Sequence, residues 1–178
     1  MLIDPLIIGA DGVDEANTYL RIENDEEDGT IAALLAAAIR HCEGFTGQIQ
    51  IVRGVVERLP ASPTWQRLSA TPVGSITGVT GIPAEGASFT LPVGAYALDI
   101  DGSGDGWVRV VQPGSAGRVD VAHTAGTALT WGAIADPLRH GILRLTAHLY
   151  TNRDGADDAG PPAAVAALWR PWRRIHLS

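Results

Sequence analysis

Among the residues of this chain that could do chemistry, the aspartates in a glycine-rich stretch have the types and spacing most similar to a metal site. The run D-I-D-G-S-G-D-G places Asp99, Asp101, Ser103 and Asp105 at alternate positions, as at the start of a calcium-binding loop. Such a loop needs a bidentate glutamate at its twelfth position, where this chain has Val110. No helix pattern flanks the run. We therefore expect a glycine-rich hairpin turn there.

The other residues with chemical potential do not assemble into a site. His140 and His148 share a helix face about two turns apart, without a third ligand between them. Cys42 lies in an apolar stretch that lacks the electropositive surroundings of a reactive thiol. The chain has no lysine, so a phosphate-binding G-x-x-x-x-G-K-[ST] motif is excluded, and no G-x-S-x-G elbow occurs. We predict a protein that is not an enzyme and that uses no metal or cofactor.

The C-terminal segment is the most unusual feature of the chain. It crowds aromatic and guanidinium groups together, namely Trp169, Arg170, Trp172, Arg173, Arg174 and Ile175. Tryptophan and arginine dominate binding hot spots, because they bring a large contact area and forked hydrogen-bond donors. One interpretation is that both tryptophans fold back onto the chain's own core. The interpretation that we favour is a short arm that docks on a partner, with nucleic acid a less favoured partner because the arginines are only three.

Two long helices are expected to position these features. Residues 136–154 begin with an aspartate suited to capping and a proline suited to the first turn. Their apolar residues recur on one face, at Leu138, Ile142, Leu145 and Leu149. Residues 31–43 begin with nine positions that carry no polar side chain, which predicts burial on more than one face. We expect this second helix to contact a neighbouring subunit through Ile31, Leu34, Leu35 and Ala38.

An acidic run, E-N-D-E-E-D, leads into the apolar helix. Carboxylates suit a helix N-terminus, because the aligned peptide dipoles leave partial positive charge there. We interpret the run first as a solvated helix start. The alternative is that Asp25, Glu26, Glu27 and Asp28 face a DNA channel and keep DNA from sticking.

The region between the two helices has a different pattern. Short apolar pieces, from residues 65–68 to residues 128–131, alternate with turn residues about every 8–12 positions, which is typical of an antiparallel β unit. The sequence therefore predicts one α+β domain: helical segments at 1–47 and 136–178, and an inserted β unit at 48–135. A carbohydrate- or peptide-binding module is the alternative function, with Trp65, Trp107 and Trp131 as its platform. Tryptophans in β segments usually pack inward, however.

Composition limits the class of protein further. The 178 residues carry a formal net charge of −7, which argues against general binding of nucleic acid. No apolar run approaches the roughly 20 residues needed to span a bilayer, and the N-terminus does not read as a signal peptide. The single cysteine excludes an internal disulfide framework and suggests a reducing cytoplasm.

Five stretches together carry a family resemblance. They are C-E-G-F-T-G (Cys42–Gly47), L-S-A-T-P-V-G-S-I-T-G-V (Leu68–Val79), A-Y-A-L-D (Ala95–Asp99), V-D-V-A-H-T-A-G (Val119–Gly126) and the proline-started helix Asp136–Asp154. In order and spacing they resemble the head–tail connector, or adaptor, proteins of long-tailed phages and of phage-derived gene transfer agents. The closing P-P-A-A-V-A-A-L-W-R-P-W-R-R-I resembles the end of the gene-transfer-agent members, whereas the first 20 residues carry no recognisable motif of the family.

The resemblance implies a structural virion protein. Its subunits would form a ring, expected to be a dodecamer, under the portal at the DNA exit of the head. The helices would form the ring body, and the C-terminal arm would grip the portal protein. The lower face would receive the stopper or another neck protein, and DNA would pass through the channel without specific binding. The expected location is the neck of a phage-like particle assembled in the host bacterial cytoplasm, with no membrane partner.

Overall fold

The chain folds into two compact units. The computed structural model describes residues 1–152 and 161–174. One unit, the β unit, comprises Met1–Pro5 and Val52–Gly126, and the other, the helical unit, comprises Leu6–Ile51 and Thr127–Ser178. Helices and antiparallel sheets in one chain confirm the predicted α+β class. In the described part of the chain, no helix combines the length and the apolar character that crossing a bilayer requires.

The helical unit is built from four α-helices within the described residues. They are α1 (Ala10–Leu20), α2 (Asp28–Thr46), α3 (Asp136–Thr151) and α4 (Ala163–Trp169), with short 3-10 turns at Trp131–Ala133 and Arg170–Trp172. The segment 128–131, expected to be a β piece, leads instead into the first of these turns. Local apolar character alone did not distinguish a strand from a buried turn there.

Helix α3 begins where the sequence predicts, but its cap differs. Asp136 is the first helical residue, and Ala135 occupies the capping position without a side-chain hydrogen bond. The Asp136 carboxylate accepts a hydrogen bond from Arg139 instead, at 2.9 Å. Asn152 closes the helix through its backbone N–H, which donates to the carbonyl of His148 at 3.0 Å. The rest of the predicted segment, residues 153–154, lies outside the described residues.

The core of the helical unit lies between its helices. Its largest fully buried side chains are Trp131, Trp169, Ile31, Leu35, Ile39, Ile134, Leu138 and Ile142. Two of these are tryptophans, and each donates its indole N–H: Trp131 to Glu15 at 2.7 Å, and Trp169 to the carbonyl of Leu138 at 3.3 Å. Both large side chains are therefore buried without leaving their polar atom unpaired.

The β unit has two antiparallel sheets. Its strands are β1 (Leu2–Ile3), β2 (Arg53–Pro60), β3 (Gln66–Arg67), β4 (Val73–Pro83), β5 (Phe89–Thr90), β6 (Tyr96–Ile100), β7 (Gly106–Val110) and β8 (Ala116–Ala125). One sheet has the order β1-β2-β8-β4-β5 and the other β3-β7-β6. Along β8, Val119 and Val121 point into an apolar core and alternate with Asp120, which is more exposed. The predicted antiparallel β unit is thus present.

Candidate functional site

The C-terminal segment divides into a buried anchor and an exposed surface. Trp169 ends α4 and is 0% exposed, whereas Trp172, three residues later, is 39% exposed. Trp169 thus folds back onto the core of its own chain, whereas Trp172 keeps more than a third of its side chain exposed. The predicted contact role of Trp169 is contradicted by its burial, because its side chain cannot reach a partner without opening the core.

Close packing holds Trp169 in place. The tryptophan ring lies against α3 at Gly141, where a Cβ atom would come within 2.9 Å of the indole Cδ1. On its other side the ring contacts Phe45 of α2, with 5.8 Å between ring centroids. A glycine on α3 and an aromatic residue on α2 thus form the slot that receives the end of α4.

The exposed part of the segment is fastened to the end of α2. The backbone N–H of Arg174 donates to the carbonyl of Thr46 at 2.8 Å, and the side-chain amide of Gln48 donates to the carbonyl of Trp172 at 2.6 Å. The Arg173 guanidinium lies over the Phe45 ring, 5.8 Å from its centroid. We call Arg170, Trp172, Arg173 and Arg174 the arm surface. Ile175, the remaining predicted arm residue, lies outside the described residues.

The α2 residues predicted to contact another subunit mostly face inward. Ile31, Leu35 and Ala38 are all 0% exposed and belong to the core of their own chain. This burial contradicts an interface role for them, and only Leu34 is partly exposed. The reason is that an apolar stretch of this length marks a buried helix without saying which face a second copy would cover.

The opposite face of α2 carries a groove that the sequence patterns did not identify. Its lining residues are Ala37, Arg40, His41, Gly44, Phe45 and Pro161, around a volume of about 430 Å³. The signal that could have found it is the break in the apolar run at Arg40 and His41, followed by Gly44 one turn later. We call this feature the α2 groove.

The four acids predicted to face a DNA channel are in two different situations. Glu27 accepts a hydrogen bond from the Tyr150 hydroxyl, and Asp28 accepts one from the side-chain amide of Asn17 at 2.6 Å. These two acids join α2 to α3 and to α1. Asp25 and Glu26 are exposed, and their carboxylates have no hydrogen-bond or ion-pair partner among the described residues. A channel-facing role for the run stays a prediction.

The aspartate-rich stretch forms the hairpin turn that was expected between β6 and β7. One Asp101 oxygen accepts the backbone N–H groups of Ser103 and Asp105, at 2.8 and 3.0 Å. The other oxygen accepts the indole N–H of Trp107 at 3.0 Å. Asp101 therefore organises its own turn. Among the described residues, no three histidine, cysteine or acidic side chains are grouped so that they could hold a metal ion.

The three tryptophans of the alternative binding platform do not share an environment. Trp131 is 2% exposed and belongs to the core of the helical unit. Trp107 is half-buried and bonded to Asp101, as described above. Trp65 is 43% exposed, and the guanidinium of Arg109 lies 4.8 Å from its ring centroid. The residue that should complete the platform is thus part of a core.

Cys42 is buried in α2 and has no disulfide partner. Burial, and to a smaller extent the neighbouring charge of Glu43, raises the pKa of its thiol far above the ordinary value. A thiol held in its neutral form is a poor nucleophile. Its role is therefore to fill space between helices.

Chains in solved structures of gene transfer agent particles resemble the whole chain. A chain in the neck of an empty GTA particle, computed with C6 symmetry, has a TM-score of 0.78 and 25% identity, covering 100% of this chain and 98% of that one. Chains in the virion of a native gene transfer agent (GTA) particle and in the neck of a native GTA particle, computed with C12 symmetry, each give a TM-score of 0.73 and 27% identity, with the same coverage. No family profile and no curated protein matches the chain.

This likeness extends over both units. It agrees with the family resemblance carried by the ordered motifs in the sequence. The full-length likeness supports the predicted resemblance to the neck, or head–tail connector, proteins of phages and gene transfer agents.

Proposed function

We propose that this protein is a structural adaptor in the neck of a phage-like particle, where it forms a ring between the portal and the stopper through which DNA passes. The observation that carries the proposal is the full-length likeness to chains in the necks of GTA particles. Nothing in this role requires catalysis, a metal or a cofactor. The protein would be assembled in the cytoplasm of a host bacterium and would end in the virion.

The ring would be a dodecamer. The similar chains come from necks computed with C12 and C6 symmetry, and both symmetries are compatible with twelve copies around one axis. Cyclic symmetry requires each subunit to present two different, complementary surfaces to its neighbours. A net charge of −7 per subunit would disfavour tight binding of the passing DNA.

The arm surface, with Ile175, would contact the portal protein. Trp172 and the arginines offer the aromatic and forked-donor chemistry of a binding hot spot. Their backbone bonds to Thr46 and Gln48 fix the arm before binding, which lowers the entropy cost of docking. Trp169 would act as the anchor that positions the arm and would not touch the portal.

Deleting residues 170–178 tests this contact. Trp169 remains in its slot in the truncated chain, so we expect the thermal midpoint to stay close to that of the full chain. Binding to purified portal protein, measured by biolayer interferometry, should fall by about a hundredfold or more if the segment is the hot spot. Leu129→Ala is the matched control, because Leu129 is 80% exposed in the same unit and lies outside the arm. Unchanged portal binding by the truncated chain would refute the arm assignment.

A further inference from the structure

The α2 groove combines an apolar floor with a positively charged edge. Ala37 and Phe45 contribute the apolar surface, and Gly44 leaves it open, since nothing lies within 4 Å of where its Cβ would stand. Arg40 stands exposed at the edge and has no ion-pair partner among the described residues. An occupant that satisfies this groove should be acidic and partly apolar.

The same chain carries such a segment at the other end of α2. Residues 22–26 connect α1 to α2 and read I-E-N-D-E. The carboxylates of Glu23, Asp25 and Glu26 are exposed and unpaired among the described residues. We call residues 22–26 the acidic connector.

A chain cannot place its own acidic connector in its own groove. Asp28 begins α2 and Arg40 follows twelve residues later, which corresponds to about 18 Å along the axis of an α-helix. That separation exceeds the combined reach of one arginine and one glutamate side chain. The two surfaces can meet only between different copies.

We propose that the acidic connector of one subunit docks in the α2 groove of the next subunit, and that this contact closes the ring. The inference rests on the proposed neck function. Two different surfaces at opposite ends of one helix form a head-to-tail contact, which is the type that cyclic symmetry requires. Charge complementarity selects a second copy as the occupant, because the unpaired acids at one end of α2 match the unpaired arginine near the other.

Photocrosslinking in assembled particles tests the contact directly. Asn24→benzoylphenylalanine places an apolar photoreactive group in the exposed connector without altering a groove residue. DNA-filled particles from producing cells are sedimented, irradiated and digested. We expect a product of twice the subunit mass, in which the probe is joined to residues 37–45 of a second copy. Glu85→benzoylphenylalanine, at an exposed position outside the acidic connector, is the matched control for nonspecific labelling of residues 37–45.

The outcomes separate this inference from the function on which it rests. The groove contact would be overturned, and the neck role would stand, if the chain is present in the particles but the probe crosslinks to another part of a second copy or to a different protein. The same holds if the chain is present and no crosslink forms. Absence of the chain from sedimented particles that contain the other virion proteins would overturn both.

A charge swap provides an independent test. Arg40→Glu and Glu26→Arg should each lower incorporation into particles by about tenfold or more, because each juxtaposes like charges at the contact. Combining both substitutions in one chain should restore incorporation to within about twofold of the original, since the charges are then complementary again. Circular dichroism of each purified variant checks that the fold is retained. A combined variant that assembles no better than either single one would contradict the pairing.

Discussion

The helical unit and the β unit use the same residue types in opposite ways. In the helical unit, Trp131 and Trp169 are buried and are the two largest side chains of the core. In the β unit, Trp65 and Trp107 remain partly exposed and are held by Arg109 and Asp101. The role of each tryptophan therefore depends on the residues of the chain that pack against it. The Trp169 ring packs against a helix glycine and is buried. The Trp107 ring is bonded to a charged side chain in a hairpin and remains partly exposed.

Charges differ between the units as well. Near the β2–β8 pairing, Arg58 makes a two-point ion pair with Asp120, and the buried Glu57 accepts the N–H and hydroxyl of Ser69. In the helical unit, Arg40 and the acidic connector have no partner in the described part of the chain. These β-unit charges are thus paired within their own unit, whereas Arg40 and the acidic connector leave charge exposed on the helical unit.

The largest expected effect concerns the anchor. Trp169→Ala should lower the free energy of unfolding by about 3–5 kcal/mol, because it empties a fully enclosed site between α2 and α3. Trp172→Ala, the matched control three residues later, should cost less than about 1 kcal/mol because its side chain is already partly in solvent. Chemical denaturation of both variants measures the difference. Equal losses would show that the anchor and the arm are not distinct.

The packing around Gly141 and Gly44 predicts that the same substitution changes protein stability in opposite directions at these two positions. Gly141→Ala should destabilise the protein by about 1–3 kcal/mol, because the new methyl group would collide with the buried Trp169 ring. Gly44→Ala should stabilise it by about 0.5–1 kcal/mol, because alanine favours a helix and the space around Gly44 is open. Thermal unfolding of the pair is the measurement. A stabilising Gly141→Ala would mean that the Trp169 ring does not fill the slot.

The smallest expected effect lies in the β unit and depends on pH. Arg58 holds the pKa of the Asp120 carboxyl below its ordinary value, chiefly through their hydrogen bonds. A lowered pKa in the folded state contributes stability above the ordinary aspartate pKa of about 4, and this contribution is lost as the pH falls through the folded value. Arg58→Ala should therefore lower the thermal midpoint slightly at pH 7, and the difference from the original chain should vanish in acid.

The effect of Arg58→Ala is small because the two side chains are 51% and 21% exposed. Arg118→Ala, an exposed arginine on β8 without an ion pair in the described residues, is the control. A midpoint difference for Arg58→Ala that persists below the folded pKa of Asp120 would show that the arginine stabilises through packing and not through the carboxylate.

Much of the architecture follows from local sequence signals. The Asp136–Pro137 pair marks the start of α3, the glycine-rich aspartate run marks the hairpin between β6 and β7, and regular turn signals mark the antiparallel β unit. Each of these features is encoded within a few neighbouring residues. For that reason they can be read without knowing what packs against them.

The site could be predicted only in outline. The composition of the C-terminal segment identified it as unusual, yet the separation of Trp169 from Trp172 depends on Gly141, which lies far away in sequence. Which face of α2 points into the core could not be predicted either. A helix that is apolar around its circumference indicates burial but does not indicate which face is buried. Both failures involve contacts between distant segments, which residue spacing does not encode.

If this protein resides in the neck of a DNA-containing particle, as proposed, it must travel with those particles. The most direct measurement sediments nuclease-resistant, DNA-filled particles from producing cells and labels them with an antibody against this chain for electron microscopy. We expect the chain to co-sediment with the particles and the label to decorate a single vertex. A chain that stays in the soluble fraction while the other particle proteins pellet would contradict it.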